Sequence, residues 1–151
     1  MSKPETVHAC CVVVGEAGLL IRGLSGSGKS TLAREVVSRA GQAGRFGRLV
    51  SDDRTRLEIR HGRLLARPVE PLDGCIEICG LGIVRQPFES AAVVRLVIDL
   101  CESPPRYPEE EDKHVVLCGV MVPRVRMQAG AISADLAVAC LSCVCNTVVT
   151  L

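Results

Sequence analysis

Residues 23–31 read GLSGSGKST, between an apolar run, GLLIR (18–22), and a helix-like one, LAREVVSRA (32–40). Gly23, Gly28, Lys29 and Ser30 fit the pattern G-x-x-x-x-G-K-[ST], which predicts a strand, a tight loop and a helix in that order. Each part has a physical task. Glycines at 23, 26 and 28 let backbone N–H groups approach an anion with no side chain in the way. Leu24, Ser25 and Ser27 complete the loop. The helix beginning near Ser30 and Thr31 offers unpaired N–H groups and the positive end of its dipole to the same anion. Lys29 supplies a cation for outer phosphates, and the Ser30 hydroxyl can ligate magnesium. A flexible Gly/Ser linker has the composition but not the setting, so residues 23–31 are expected to cradle phosphate.

Composition narrows what surrounds this loop. A chain of 151 residues is long enough for one domain with a real core. A formal charge of +1 and only three aromatic residues, Phe46, Phe88 and Tyr107, argue against a dedicated nucleic-acid binder. No apolar stretch approaches the roughly 18 residues of a membrane span, and MSKPETVHACCVVVGEAG has too short an apolar core for a secretory signal. The nine cysteines fall mostly inside apolar runs (HACCVVV, CIEICG, CLSCVC), where a thiol acts as a small hydrophobe. A reduced, cytoplasmic chain is expected.

Outward from the loop, the pattern is that of an α/β domain with few helices, expected to span residues 1–151 as one unit. VHACCVVV and GLLIRG form a hairpin turning at GEAG, and STLAREVVSRA is a helix ended by the glycines of GQAGRFG. RLVSDD is a short strand closing on two acids, and a parallel neighbour strand is expected to bring them beside the phosphates. RLEIR and RLLAR pair about a His61-Gly62 turn. GCIEICGLG is a strand entering a glycine loop, VVRLVIDL another strand, and CESPPRYPEEEDK a polar, proline-broken loop. HVVLCGVMV reads as one strand, and SADLAVACLSCV as a closing helix with Ser133 near its start.

Asp52 and Asp53 are the first candidate acids after the loop. Carboxylates at such a strand end can hold magnesium or take a proton from an attacking hydroxyl. Together, VH (7–8), GLSGSGKS, LVSDD and CIEICGLGIV resemble the catalytic domain of the HPr kinase/phosphorylase family, over most of residues 7 to 107. The resemblance implies a mixed-sheet P-loop domain like that of phosphoenolpyruvate carboxykinase. It also implies an ATP- and magnesium-dependent protein kinase acting on a serine of an HPr-type phosphocarrier, usually as a hexamer. By the same resemblance Lys29 binds phosphate, Ser30 ligates magnesium, and Asp52 is the base with Asp53 its neighbour at the metal. Glu77 is the second magnesium ligand, and His8 the histidine near the reacting phosphate. By itself a histidine in an apolar strand reads as structural. Arg106 stands as either a plain loop cation or a clamp on the transferring phosphoryl group.

Departures from the family pattern carry their own expectations. Cys79 stands where the signature has arginine. The family's amino-terminal domain is expected to be absent, since the P-loop begins at residue 23. RVRMQAGA (124–131) replaces a segment like P-V-R-P-G-R that is associated with the reverse, phosphorylase reaction, and keeps only Arg126 and Gly130. A kinase with weak or absent phosphorylase activity follows, as in short forms of some alphaproteobacteria. CLSCVC lacks a second ligand pair and reads as buried thiols, and EEED (109–112) as a solvated charge run. Arg54, Arg56, Arg60, Arg63 and Arg67 give the hairpin after the two acids a basic face, either a soluble strand face or a dock for the carrier or a neighbouring subunit. Two rival functions are a P-loop kinase for a small metabolite and a nucleotide-dependent sensor.

Overall fold

The computed structural model describes residues 3–130 and 133–147. A short strand β1 (Glu5–Val7) leads into β2 (Ala9–Val14) and β3 (Ala17–Arg22), the expected antiparallel hairpin turning at Gly15-Glu16. Every residue of β2 is buried, because both faces of the strand are covered; its unbroken apolar run ACCVVV is the sequence form of that environment. Helix α1 (Lys29–Gln42) follows the glycine-rich loop, then β4 (Gly47–Ser51), the hairpin β5 (Thr55–Arg60) and β6 (Arg63–Pro68), and a separate two-stranded hairpin β7 (Cys75–Ile78) and β8 (Gly82–Arg85). The central strand β9 (Ala92–Cys101) pairs in parallel with β3 and antiparallel with β6.

The stretch expected as one strand after the proline-rich loop is instead a hairpin, β10 (His114–Leu117) and β11 (Val120–Gln128). Its turn residues Cys118 and Gly119 both have positive φ, 50° and 81°, the geometry that a two-residue hairpin loop needs. Cysteine is not one of the residues that advertise such a turn, which is why the break is silent in the sequence. The hairpin makes β11 a parallel neighbour of β9, so most of RVRMQAGA is strand rather than loop. Helix α2 (Ala134–Thr147) closes the chain, and the Ser133 hydroxyl accepts the Leu136 N–H at 3.1 Å as its cap.

The large sheet runs β1-β5-β6-β9-β3-β2-β4, with β11 on the carboxyl half of β9 beyond β6. On one face α1 lays Leu32, Ala33, Val36 and Ala40 onto Val12, Leu19, Ile21, Leu49 and Ile98, and α2 adds Ala137 and Leu141. Each fully buried leucine there contributes roughly 1.5–3 kcal/mol. On the other face the sheet curls over itself: Leu57, Leu64 and Ala66 of the β5–β6 hairpin share a core with Cys11, Val13, Leu20 and Val50.

Strand direction is what places the site. β3, β9 and β11 are mutually parallel, and β4 points the same way although antiparallel β2 lies between it and β3. The neighbour of β4 is therefore not the parallel strand expected. The outcome is nevertheless that the loop after β3, the acids after β4, and His8 just ahead of β2 meet at one edge. Carboxyl ends of parallel strands are where such sheets bind ligands. Among the described residues no helix is long and apolar enough to cross a membrane.

Candidate phosphate-binding site

Gly23 leaves β3 where a Cβ would lie 2.5 Å from the Ser27 Oγ and 3.1 Å from the Leu100 Cβ, so only glycine lets the loop turn over β9. Gly28 caps α1 at φ 101°, a left-handed conformation that L side chains rarely adopt. Leu32 N–H donates to the Gly28 carbonyl at 2.9 Å as the helix begins. Leu24 stands exposed, while the Ser27 hydroxyl is buried and has no hydrogen-bond partner among the described residues. Lys29 is almost wholly buried, its ammonium donating to the carbonyls of Gly23 at 3.0 Å and Leu24 at 3.2 Å.

The two aspartates have opposite surroundings. Asp52 is enclosed: its Oδ1 accepts the Ser30 hydroxyl at 2.5 Å and the Cys10 thiol at 3.1 Å, and its Oδ2 accepts the Glu77 N–H at 2.9 Å. Asp53 takes φ 64°, with the Arg54 N–H donating to the Asp52 carbonyl at 2.7 Å around it. That reversal turns the Asp53 carboxylate out, leaving its side chain 58% exposed. Its Oδ1 lies 2.5 Å from His8 Nε2 and 3.9 Å from Lys29 Nζ.

These groups border a cavity of about 430 Å³, lined among others by Gly28, Lys29, Ser30, Asp53, Glu77 and Cys79. Ser25, Gly26 and Thr31 also line it. Glu77 and Cys79 arrive on β7 and its turn, which the Asp52 bond to the Glu77 backbone fixes to the site. No group of three or more His, Cys, Asp or Glu that could hold a metal occurs among the described residues.

Cys10 was not legible as a site residue, yet its sulfur lies beneath both acids: it donates to Asp52 and accepts the Asp53 N–H at 3.3 Å. His8 occupies the bend just ahead of β2, so strand alternation alone does not relate Cys10 to it. Burial, and then the charge of Asp52, pushes its thiol from 9.0 up to about 12. Arg34, one helical turn beyond Ser30, also reaches the cavity and was likewise missed.

Arg106 is not brought to this cavity. It stacks on Tyr107 and lines a separate recess of about 470 Å³ with Lys113, Arg124 and Arg126. Three prolines, 104, 105 and 108, stiffen its loop against the β10–β11 hairpin. The charge run 109–112 is not wholly solvated either. Glu110 pairs with Lys113, and Asp112 holds Arg124 and Arg126, each at 3.5 Å. The C-x-x-C of α2 has half-buried Cys140 and exposed Cys143, and no disulfide forms among the described residues.

A mixed sheet with two described helices, carrying a glycine loop, a buried lysine and a carboxylate pair at its carboxyl edge, defines the class: an α/β domain. The chain belongs to the HPr Serine kinase C-terminal domain family, which matches residues 1–138. It is 32% identical to the HPr kinase/phosphorylase of three Streptococcus thermophilus strains, over 84% of this chain. It spans 43% of the length of those relatives. Its fold is similar to that of the Hpr(Ser) kinase/phosphatase from Coxiella burnetii, with a TM-score of 0.75 at 24% identity, covering 97% of this chain and 92% of that one.

Proposed function

We propose that this domain transfers the terminal phosphoryl group of ATP to a serine of an HPr-type phosphocarrier. The observation that carries this reading is the Asp53 carboxylate, exposed in the cavity between His8 and Lys29 and beside the glycine loop. The family supports the same chemistry.

In this reading the loop N–H groups and Lys29 hold the phosphates, with the Lys29 ammonium exchanging its two carbonyl partners for phosphate oxygens. The serine oxygen attacks the terminal phosphorus as the bond to the bridging oxygen breaks. Its proton passes to Asp53, and ADP carries away the leaving electron pair. This exchanges the two aspartates relative to the expectation from the family pattern. Asp52 already accepts hydrogen bonds from Ser30, Cys10 and the Glu77 N–H, whereas the Asp53 carboxylate is the more exposed and has an open face toward the cavity. His8 orients the Asp53 carboxylate. Magnesium fits the donor set present. Ser30 and Asp52 form the hydroxyl–carboxylate pair that holds such an ion in P-loop sites, with Glu77 on the cavity wall, and few protein ligands suffice because phosphates and water complete its shell. Bound there, the ion would neutralise charge on the phosphates.

Arg126 is tied to Asp112, and Cys79 offers no cation to the cavity, so transfer from ATP to the serine dominates and phosphorylase activity is weak or absent. A cytoplasmic homo-oligomer, a hexamer by family likeness, belongs to the same reading. The test is to incubate the chain with ATP, magnesium and the host's HPr-type carrier and to follow carrier mass. Gain of one phosphoryl group is expected, and slow or no pyrophosphate release when phosphorylated carrier meets millimolar phosphate. An unmodified carrier alongside a phosphorylated small metabolite would overturn the proposal.

A further inference from the structure

Two residues beyond Asp53 the chain enters the β5–β6 hairpin, whose inner face is buried through Leu57, Leu64 and Ala66. Its outer face is basic. Alternation along each strand puts Arg56 opposite Arg67, and Arg60 opposite Arg63, with Glu58 between them. Residues 54–67 hold five arginines and one glutamate in a chain whose formal charge is +1, so the remainder of the chain is net acidic.

Like charges directly opposite one another across two strands are destabilising. Here the offset is small. Arg67 hydrogen-bonds Glu58, and Arg60 Nε lies 3.8 Å from it. The Arg67 hydrogen bond, followed by the charges of Arg67, Arg60 and Arg56, holds the Glu58 carboxyl below its ordinary value. One carboxylate thus serves three guanidinium groups, and Arg54 and Arg63 have no ion-pair partner among the described residues. Arg54, Arg56, Arg60 and Arg63 are all exposed. A face needed only for solubility is served as well by mixed signs. A single-sign field beside a cleft steers an oppositely charged partner. Strand β1 already pairs with the free edge of β5, so a partner meets side chains rather than adding a strand.

We propose that this arginine face docks an acidic surface of the protein that presents its serine to Asp53. The stripe begins beside Asp53 and extends about six residues, roughly 20 Å, along the hairpin. It is therefore long enough to hold a folded partner in register with the site. The inference rests on the protein-kinase reading for the partner's serine, but the docking charge is testable apart from it.

The experiment compares the parent chain with the Arg56→Glu, Arg63→Glu double variant, using the host's HPr-type carrier as probe. Both positions are exposed, and retained Mg-ATP affinity reports that the variant is folded. The expected result is a carrier KM raised about tenfold or more with kcat unchanged, because rim charges act on encounter and orientation. Parental kcat/KM should fall steeply between about 50 and 300 mM salt, and that of the variant should not. An unchanged carrier KM in the variant would overturn the docking surface and leave the kinase reading intact. Salt-sensitive carrier binding that the variant loses, without phosphoryl transfer, would support docking and refute the kinase reading. A parent chain that neither binds nor phosphorylates the carrier would refute both. A shift of random-sequence RNA or DNA that the variant abolishes would overturn the choice of a protein partner.

Discussion

Asp52 and Asp53 share a side chain and a strand end, and their difference is one of hydrogen bonding and direction. Asp52 is occupied by Ser30, Cys10 and the Glu77 backbone; Asp53 faces the cavity. Asp53→Asn should lower single-turnover transfer about 10²- to 10⁴-fold while leaving nucleotide affinity near the parental value. Asp52→Asn should instead raise the magnesium needed for half-maximal rate. Parental transfer by Asp53→Asn would return the base to Asp52. Lys29→Ala removes a charge-assisted contact worth roughly 1.5–3 kcal/mol, so nucleotide titration should show affinity weakened about ten- to a hundredfold. Cys10 sets a pH dependence. Its folded-state thiol titrates near 12 against 9.0 unfolded, so the unfolded chain loses its proton first. The stability due to the neutral thiol is thus complete below pH 9 and declines above it, by at most about 1.4 kcal/mol per pH unit. Urea melts at pH 8 and 10 should show that decline diminished in Cys10→Ser.

At the scale of elements, α1 shows how backbone and side-chain demands separate. Gly28 precedes the helix and Gly41, expected to end it, lies inside its last turn, yet only Gly28 needs its missing Cβ. Gly28→Ala forces a left-handed residue, costing roughly 1–2 kcal/mol, and thermal melting should fall by about 2–8 °C with loss of nucleotide binding. Gly41 sits in the helix with nothing within 4 Å of an added Cβ. Gly41→Ala should therefore stabilise by about 0.5–1 kcal/mol without touching activity. The loop, this helix and the hairpins at 15–16 and 61–62 were legible because glycine spacing and strand alternation act over a few residues. The break at Cys118-Gly119 was not, because packing of β11 against β9 holds a cysteine at positive φ that its own preferences do not announce.

Across the whole molecule, the carboxyl edge of the sheet is braced by charge. Arg22 grips Asp99 through Nε and Nη2 at 2.7 and 2.8 Å, and Arg124 links Asp99 to Asp112, which also takes Arg126. The chain of pairs spans β3, β9, β11 and the proline-rich loop. Asp99→Ala would leave Arg22 without its partner at a partly buried position, while Arg124 keeps Asp112. Breaking a fully buried pair costs about 3–5 kcal/mol, and the 19% exposure of Asp99 lowers the expectation to roughly 2–3 kcal/mol, readable by chemical denaturation. The same network explains Arg106. The loop that carries it leaves β9 at the edge of the site, but its anchor points, Asp112 and the prolines, hold it over a different recess.

What followed from the chain alone was local: a glycine loop between strand and helix, a buried apolar strand pair before it, and two acids at a strand end. Each depends on backbone preferences or on the alternation of a few residues. The thiols of CLSCVC, expected buried, are half-buried or exposed, and only Cys10 and Cys11 are fully enclosed. The strand order β9-β3-β2-β4, the placing of β11 beside β9, and the joining of His8, Cys10, Ser30 and Glu77 around the acids were decided by tertiary structure. So was the assignment of Asp52 inward and Asp53 outward. Adjacent residues with the same side chain carry no signal of which will be enclosed. The choice comes from a left-handed turn at Asp53 and from donors to Asp52 brought across 22 to 42 positions of sequence, contacts that exist only once the sheet has closed.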